Sequence, residues 1–263
     1  MILFVFEGRI REPAIFRTLE TLFFNNRVDK IVCSLCNNIY ELYRQLQALD
    51  GDGDFVSIVR ESYENRREDN PFDKGAKSSD FSEIYLFFDY DFQNANYQPD
   101  ELDEIVKKML ATFDNETDNG KLFISYPMVE AVRYTKKLPD ADYYTYEVPR
   151  GLCRNTGFKS LCHAFSDYKN LDFLLLDARK QDEKGNFRKN WCFISLQNVK
   201  KANYICNGTN EIPSDKNKVS QKKIFDSQIQ KYVKPNDSVA ILSAFPLFLF
   251  DYFKSSSDIF NLH

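Results

Sequence analysis

The chain has 263 residues, of which 43% are hydrophobic, 15% aromatic and 28% charged. This length and composition supply a full hydrophobic core for one large domain or two small ones, and they exclude a disordered chain. The net charge of −4 excludes a protein that is coated in basic charge, so any contact with nucleic acid must be local.

The two most apolar segments of the chain are not typical of export or membrane signals. The first segment, residues 1–6, is followed at once by Glu7 and carries neither a basic region nor a small-residue cleavage site. The second, residues 239–253, is interrupted by Pro246 and Asp251 and is shorter than the ~20 apolar residues that span a bilayer. We therefore expect a cytoplasmic protein that does not enter a membrane.

Strands and helices alternate through residues 1–144. Apolar runs predict strands at residues 1–6, 29–35, 84–88 and 121–125. Apolar side chains at helical spacing predict helices over 12–24, 39–49 and 100–113, a highly charged helix over 57–68, and a helix that Pro127 opens. Alternation of this kind predicts an α/β fold in which a parallel sheet is covered by helices on both faces.

The pattern changes at about Thr145, and residues 145–263 are predicted to form a helix-rich C-terminal region. Its helices are predicted over residues 158–168, 193–204, 220–232 and 239–253.

Several classes of chemistry are excluded by missing residues or motifs. Only two histidines occur, His163 and His263, so sites that need several imidazoles from one chain cannot form. The sequence has no G-x-S-x-G elbow, no G-x-x-x-x-G-K-[ST] loop and no G-x-G-x-x-G fingerprint. ATP hydrolysis, where it is needed, must therefore come from a partner. Cys33 and Cys36 form a C-x-x-C pair without a second pair, and we interpret them as packing residues.

Carboxylates follow two of the predicted strands. Glu7 and Gly8 come after the first strand, and Asp89 and Asp91 come after the strand at 84–88. Residues two apart in an extended chain point to the same side, so these aspartates can hold a cation that prefers oxygen ligands. Gly8 leaves room for a phosphate beside the backbone. The pattern predicts a Mg²⁺ site for phosphodiester chemistry, and the alternative is a pair of solvated loop aspartates.

These motifs resemble the Toprim domain, and most closely the RloB-like and related abortive-infection Toprim proteins. The E-G-x-x-x-E-x-x-x-F motif of those proteins is matched by Glu7, Gly8, Glu12 and Phe16, and their S-N-P-x-x-E segment by Ser125-Tyr126-Pro127-Met128-Val129-Glu130. The strand-ending D-x-D is matched by Asp89 and Asp91. Arg11 and Tyr126 depart from the family, which usually has threonine and asparagine there. The resemblance covers roughly the first half of the chain.

The resemblance implies a metal-dependent endonuclease with its catalytic domain in residues 1–144. Glu7, Asp89 and Asp91 would bind Mg²⁺, with Mn²⁺ able to substitute, and Glu7 would also act as an acid or base. Glu12 and Glu130 would be further acidic members of the site, although a charge in the first turn of a helix also has a structural explanation at Glu130.

The implied substrate is DNA or structured RNA such as tRNA, and the implied role is that of an effector in a bacterial antiphage system with a separate ATPase or sensor protein. A homodimer is left open. The alternatives are a Toprim module that binds nucleic acid or a nucleotide without cutting it, and an interaction subunit that an ATPase partner holds inactive.

A basic segment in the C-terminal region provides candidate contacts to nucleic acid. Phe187 and Trp191 are interleaved with its charges, and base stacking beside phosphate contacts needs both residue types. The candidate contacts are Arg179, Lys180, Arg188, Lys189 and Lys200. The alternative is an ordinary charged loop that leads into a buried aromatic helix.

Overall fold

The computed structural model describes residues 1–24, 29–48, 54–66, 68–90, 92, 97–153, 157–253, 255 and 257–260, with the backbone alone at 178, 179, 181 and 257. The chain forms two compact units. The first unit combines residues 1–13 with 26–123, and the second combines residues 14–25 with 124–263.

A mostly parallel five-stranded sheet confirms the predicted α/β fold. Its strands are β1 (Ile2–Phe6), β2 (Lys30–Ser34), β3 (Glu83–Asp89), β4 (Asp114–Asn115) and β5 (Gly120–Ser125), in the order β2-β1-β3-β5-β4. β1 is parallel to both of its neighbours, whereas the short β4 pairs antiparallel with β5. The four strands that the sequence predicts agree with the observed bounds to within one residue at each end.

The central strand β1 sets the position of the candidate site. All five of its residues are apolar and buried, so both faces of the sheet are covered there. Phe6 is in register with Ser34 of β2 and Phe87 of β3, and the Phe6 and Phe87 rings lie 5.1 Å apart. Because the three strands are parallel and in register, the residues that follow them emerge at one edge of the sheet.

The described part of the first 100 residues contains the starts of four α-helices: α1 (Arg11–Leu19), α2 (Ile39–Ala48), α3 (Phe55–Arg66) and α4 (Pro99–Thr112). The α1 helix continues as a π-helical turn over Glu20–Phe24. The start of α4 shows why the sequence forms a helix there. Pro99 occupies the first position, where its missing N–H costs nothing, and the Glu101 carboxylate accepts a 2.8 Å hydrogen bond from the Gln98 N–H.

The region after Thr145 is mainly helical, as predicted. Its helices are α5 (Gly157–Phe165), α6 (Lys184–Asn207), α7 (Gln221–Gln228), α8 (Lys234–Asn236), α9 (Ala244–Tyr252) and α10 (Ser257–Phe260). Gly208 ends the long α6 helix in the left-handed conformation, with φ of +77°, and its N–H donates to the Tyr204 carbonyl. Within the described ranges, no helix is both long and apolar enough to cross a bilayer.

Two helix predictions are wrong in kind, and a third, over residues 193–204, starts too late because α6 already begins at Lys184. The predicted helix at 239–253 begins only at Ala244, because the residues before it form β7 (Ser238–Ala240), antiparallel to β6 (Glu147–Pro149). Pro127 does not open an α-helix either. It follows a cis peptide bond, Met128 is extended, and a 3₁₀ turn begins at Val129. At residues 239–243 strand pairing, and at Pro127 the local backbone conformation, prevents an α-helix although the apolar pattern is compatible with one.

Candidate active site

The structure brings Glu7 and Asp89 together at the ends of neighbouring strands. The Glu7 N–H donates to the Phe87 carbonyl at 3.0 Å, which continues the β1–β3 ladder one residue beyond β1. The Asp89 N–H in turn donates to Oε2 of Glu7 at 3.0 Å. Both residues are half-buried. The Glu7 carboxylate is therefore fixed by the backbone of the residue that supplies the second carboxylate.

Glu12 and Ser34 hold the loop after β1. The Gly8 N–H donates to Oε1 of Glu12 at 3.1 Å, and the Ser34 hydroxyl donates to the Gly8 carbonyl at 2.9 Å. A Cβ atom at Gly8 would lie 2.8 Å from Oε2 of Glu12, so only glycine allows this close approach. Glu12 is 7% exposed, and its place in the first turn of α1 favours a negative charge. In this structure the Glu12 carboxylate therefore holds the loop after β1 in place through the Gly8 N–H.

The carbonyl end of β2 is held by Arg66, which the sequence analysis missed. Its guanidinium donates to the Ser34 carbonyl at 3.0 Å and to the Leu35 carbonyl at 2.6 Å. The next residue, Cys36, donates its N–H to the Glu7 carbonyl at 3.0 Å. Nothing in the sequence pattern indicates this function of Arg66, because about thirty residues separate it from the carbonyls that it contacts.

Arg9, which follows Glu7 and Gly8 in the loop after β1, was also missed. Its Nε donates to Sγ of Cys36 at 2.9 Å, and its guanidinium forms an ion pair with Glu68. The Arg9 side chain is 54% exposed. Its position directly after Glu7-Gly8 is the signal that could have identified it. A cation here can meet a phosphate that approaches the sheet edge.

The donor set is compatible with a hard divalent cation. Carboxylate oxygens from Glu7 and Asp89 suit Mg²⁺, which is commonly held by one or two carboxylates while water and substrate phosphates complete its shell. Among the described residues, no group of three or more His, Cys, Asp or Glu side chains is arranged to hold a metal ion. Asp91, the third predicted ligand, lies outside the described residues.

Glu130 belongs to the second unit and has its own surroundings there. The residue is 2% exposed in the 3₁₀ turn Val129–Arg133, and its Oε1 lies 3.6 Å from Nζ of Lys159. The Cys162 thiol contacts the Glu130 carbonyl at 3.7 Å. A buried carboxylate beside a lysine is stabilised inside this unit, and its catalytic role stays a prediction.

The predicted basic contacts differ in what they touch. The Arg188 guanidinium donates to the carbonyls of Leu22 and Asp258 and lies over the Phe23 ring. Lys180 and Lys189 lie near the rings of Phe187 and Phe193, 5.8 Å and 6.0 Å from the ring centres. Lys200 lines a cavity. The Arg179 side chain lies outside the described residues.

The aromatic residues interleaved with these charges are buried. Trp191 is fully buried and donates its indole N–H to the Leu174 carbonyl at 2.9 Å, and Phe187 is buried as well. Neither ring can therefore stack on a base in this structure. Burial also raises the pKa of the Cys33 thiol, which supports the packing interpretation for that residue, whereas Cys36 is half-exposed and accepts a hydrogen bond from Nε of Arg9.

Comparisons of the chain with protein-family models, with curated proteins and with solved structures gave no match.

Proposed function

We propose that the protein is a Mg²⁺-dependent endonuclease of Toprim type that uses the carboxylates of Glu7 and Asp89. The observation that carries the proposal is the hydrogen bond from the Asp89 N–H to the Glu7 carboxylate at the ends of two parallel strands. The spacing of E-G and D-x-D in the sequence resembles that family, and Glu7 and Asp89 come at the ends of two paired parallel strands.

Each residue at this edge has a distinct chemical task in the proposal. Glu7 and Asp89 hold the cation, with Asp91 as the second aspartate of the D-x-D motif. Bound there, Mg²⁺ would supply charge stabilisation to the phosphate and to the leaving oxygen. Gly8 leaves room for the Glu12 carboxylate and not for the phosphate, and Arg9 contacts a non-bridging phosphate oxygen. Glu12 acts by holding the Gly8 loop in place.

The substrate in this proposal is DNA or structured RNA such as tRNA. Exposed or half-exposed lysines near α6, namely Lys180, Lys189 and Lys200, would contact its backbone. The biological role proposed is that of an antiphage effector. Because the sequence lacks a phosphate-binding P-loop, a separate ATPase or sensor would supply the trigger.

Purified protein incubated with plasmid DNA and with total tRNA tests the proposal. We expect cleavage of at least one polymer with Mg²⁺ or Mn²⁺ and none with EDTA. Asp89→Ala in parallel identifies a contaminating nuclease, because a contaminant would cut equally well in both preparations. Absence of metal-dependent cleavage of either polymer, with the protein alone and with its ATPase partner, would contradict the nuclease assignment.

A second candidate function is metal-dependent binding of nucleic acid without cleavage. The observation that favours it is that the described residues contain no group of three or more His, Cys, Asp or Glu side chains that could hold a metal ion. Such a module would retain the labelled polymer in a filter or gel-shift assay with Mg²⁺ and leave it intact. The same Asp89→Ala variant would then lose retention.

A further inference from the structure

The next α-helical segment after α6 carries an excess of positive charge. In it, α7 and α8 are joined without a break by a π-helical turn over Ile229–Val233. The only acid of this segment is Asp226, whereas its four lysines are Lys222, Lys223, Lys231 and Lys234. The chain as a whole has a net charge of −4, so the segment is positive against an acidic background.

These four lysines are exposed and have no acidic partner among the described residues. Asp237, directly after the segment, is instead paired with Arg150 at 2.7 Å. Asp226 is half-buried, and the exposed Glu147 of β6 comes near Tyr232 in the middle of the segment. Positive charge therefore exceeds negative charge at this surface.

The buried side chains of the segment decide which side of it meets solvent. Ile224, Phe225 and Val233 are buried. The amide of the fully buried Gln228 exchanges two hydrogen bonds with the Ala240 peptide, at 2.7 and 2.9 Å. This side is therefore fixed against the rest of the second unit, and the lysines lie on the other side. We call the surface formed by the four lysines the α7–α8 face.

Two of the lysines lie close together at the C-terminal end of α6. The Nζ of Lys231 donates to the carbonyls of Ile205 and Cys206, at 2.6 and 3.3 Å. Burial raises the pKa of the Cys206 thiol to about 11, and the charges of Lys231 and Lys223 act against this rise, so both ammonium groups lie near the thiol. Lys231 offsets the negative end of the α6 dipole and keeps one of its three N–H donors for a ligand.

We propose that the α7–α8 face binds the phosphate backbone of nucleic acid, in addition to the lysines near α6. The inference rests on the proposed function for the kind of polymer, and it adds the surface that holds this polymer. Lys222 and Lys234 are separated by about 18 Å at 1.5 Å per residue, which matches about five 3.4 Å steps along one strand of a duplex. Because lysines meet phosphates as point charges, we expect binding that does not depend on base sequence.

An anionic membrane is the other extended array of phosphates that a basic surface could meet. A helix that lies on a membrane inserts an apolar face between the lipids. The apolar side chains Ile224, Phe225 and Val233 are instead buried inside the unit, and no leucine, isoleucine, valine or aromatic side chain of the segment is exposed. The α7–α8 face offers charge without an apolar anchor, which favours nucleic acid.

Fluorescence anisotropy of the full chain with labelled duplexes and single strands of DNA and RNA, in EDTA and at about 50–200 mM salt, tests the inference. The test variant combines Lys222→Gln, Lys223→Gln and Lys234→Gln, and it keeps Lys231 because that residue caps α6. We expect it to bind at least about ten-fold more weakly at low salt. The slope of log affinity against log salt should fall by about 2–3, since each lost contact removes about 0.9 for a duplex and 0.7 for a single strand.

A second triple variant provides the matched control. Lys136→Gln, Lys137→Gln and Lys169→Gln together remove the same charge from exposed lysines elsewhere in the second unit, and this variant should bind as the native chain does. The melting temperature of the α7–α8 variant should stay equal or rise slightly, because Lys222 and Lys223 place positive charge in the first turn of α7. A loss of binding would then not be a loss of folding.

Because the assay contains EDTA and scores no cleavage, its outcome is separate from that of the cleavage assay for Glu7 and Asp89. The inference is overturned if the α7–α8 variant binds with the native affinity and salt slope, or if both triple variants lose binding equally. It is also overturned if the native chain binds no polymer at low salt, or if vesicles that contain phosphatidylserine bind the native chain more tightly than every polymer does. In each case metal-dependent cleavage would still be decided by the plasmid and tRNA assay.

Discussion

The carboxylate edge of the first unit and the cavity of the second unit that Tyr144, Gln197 and Lys200 help to line are built in opposite ways. At the edge, Glu7 and Asp89 follow neighbouring strands, and main-chain hydrogen bonds of the sheet bring them together. At the cavity, a face of one helix lies opposite a loop about fifty residues earlier in the chain. Residues that the main chain of a sheet brings together can be predicted from their positions in the strands. Residues that meet by side-chain packing can be known only once it is clear which segments of the chain pack against each other.

The two regions also differ in how their polar groups are satisfied. The Glu7 and Glu12 carboxylates each accept a backbone N–H, so the edge is held in place before any ligand arrives. The Gln197 amide has no such partner among the described residues. The polar groups of the edge are thus satisfied within the main chain, whereas the Gln197 amide is buried without a partner there.

The largest effect should follow from removing Asp89. Asp89→Ala should lower the rate of metal-dependent cleavage by at least ~100-fold, because the variant loses both charge stabilisation and the position of the phosphate. Asp118→Ala removes an exposed carboxylate of the same unit and should cleave normally. Full cleavage by Asp89→Ala would remove this residue from the mechanism.

Substitutions of Glu12 test whether its carboxylate has a structural or a catalytic role. Glu12→Ala should lower the free energy of unfolding, measured with urea, by about 1–3 kcal/mol, because the Gly8 N–H loses a charged acceptor. Glu12→Gln keeps an oxygen acceptor and should lose less stability and less cleavage. If Glu12→Gln instead loses cleavage as completely as Asp89→Ala at unchanged stability, Glu12 takes part in the chemistry.

Melting temperatures measured with and without Mg²⁺ should distinguish the native protein from variants that lack a carboxylate at the sheet edge. Mg²⁺ should raise the melting temperature of the native protein more than that of Asp89→Ala, since a ligand of the folded state stabilises it by mass action. In EDTA the variant should melt at the native temperature or slightly above, because one of the neighbouring carboxylates is gone. Equal Mg²⁺ shifts in the two proteins would show that Asp89 does not bind the cation.

We expect the smallest effect from Lys201, which lies in the second unit and should make the free energy of unfolding depend on pH. It is fully buried, and its Nζ donates to the carbonyls of Tyr143 and Tyr146. Burial lowers its pKa well below the ordinary 10.5. Between the lowered pKa and 10.5 the unfolded chain binds a proton that the folded chain does not. Stability contributed by Lys201 must therefore rise with pH across that window and level off above it.

Denaturation of the native protein and of Lys201→Met over a pH series measures this effect. Buried tyrosines and cysteines titrate in both proteins, so the difference between the two stability curves isolates the lysine. The difference should move in favour of the native protein as pH rises. Parallel curves would show that the amine keeps its proton in the folded state.

The first half of the fold could be predicted because its signals are local. Continuous apolar runs mark the four strands, and a parallel sheet brings the ends of in-register strands to one edge. The meeting of Glu7 and Asp89 follows from that rule and is observed. The helix predicted at Pro127 and the first five residues of the helix predicted over 239–253 were wrong, because apolar runs do not distinguish a helix from a short strand or a 3₁₀ turn.

The sequence by itself determined where negative charge collects, because strand periodicity and the position of a carboxylate after a strand are properties of a few adjacent residues. Only the tertiary structure decided which polar groups lack partners. Gln228 and Gln197 are both buried glutamines, yet one pairs with the Ala240 peptide and the other lines a cavity. That difference depends on which distant segment packs against each helix, and no local pattern of residues carries this information.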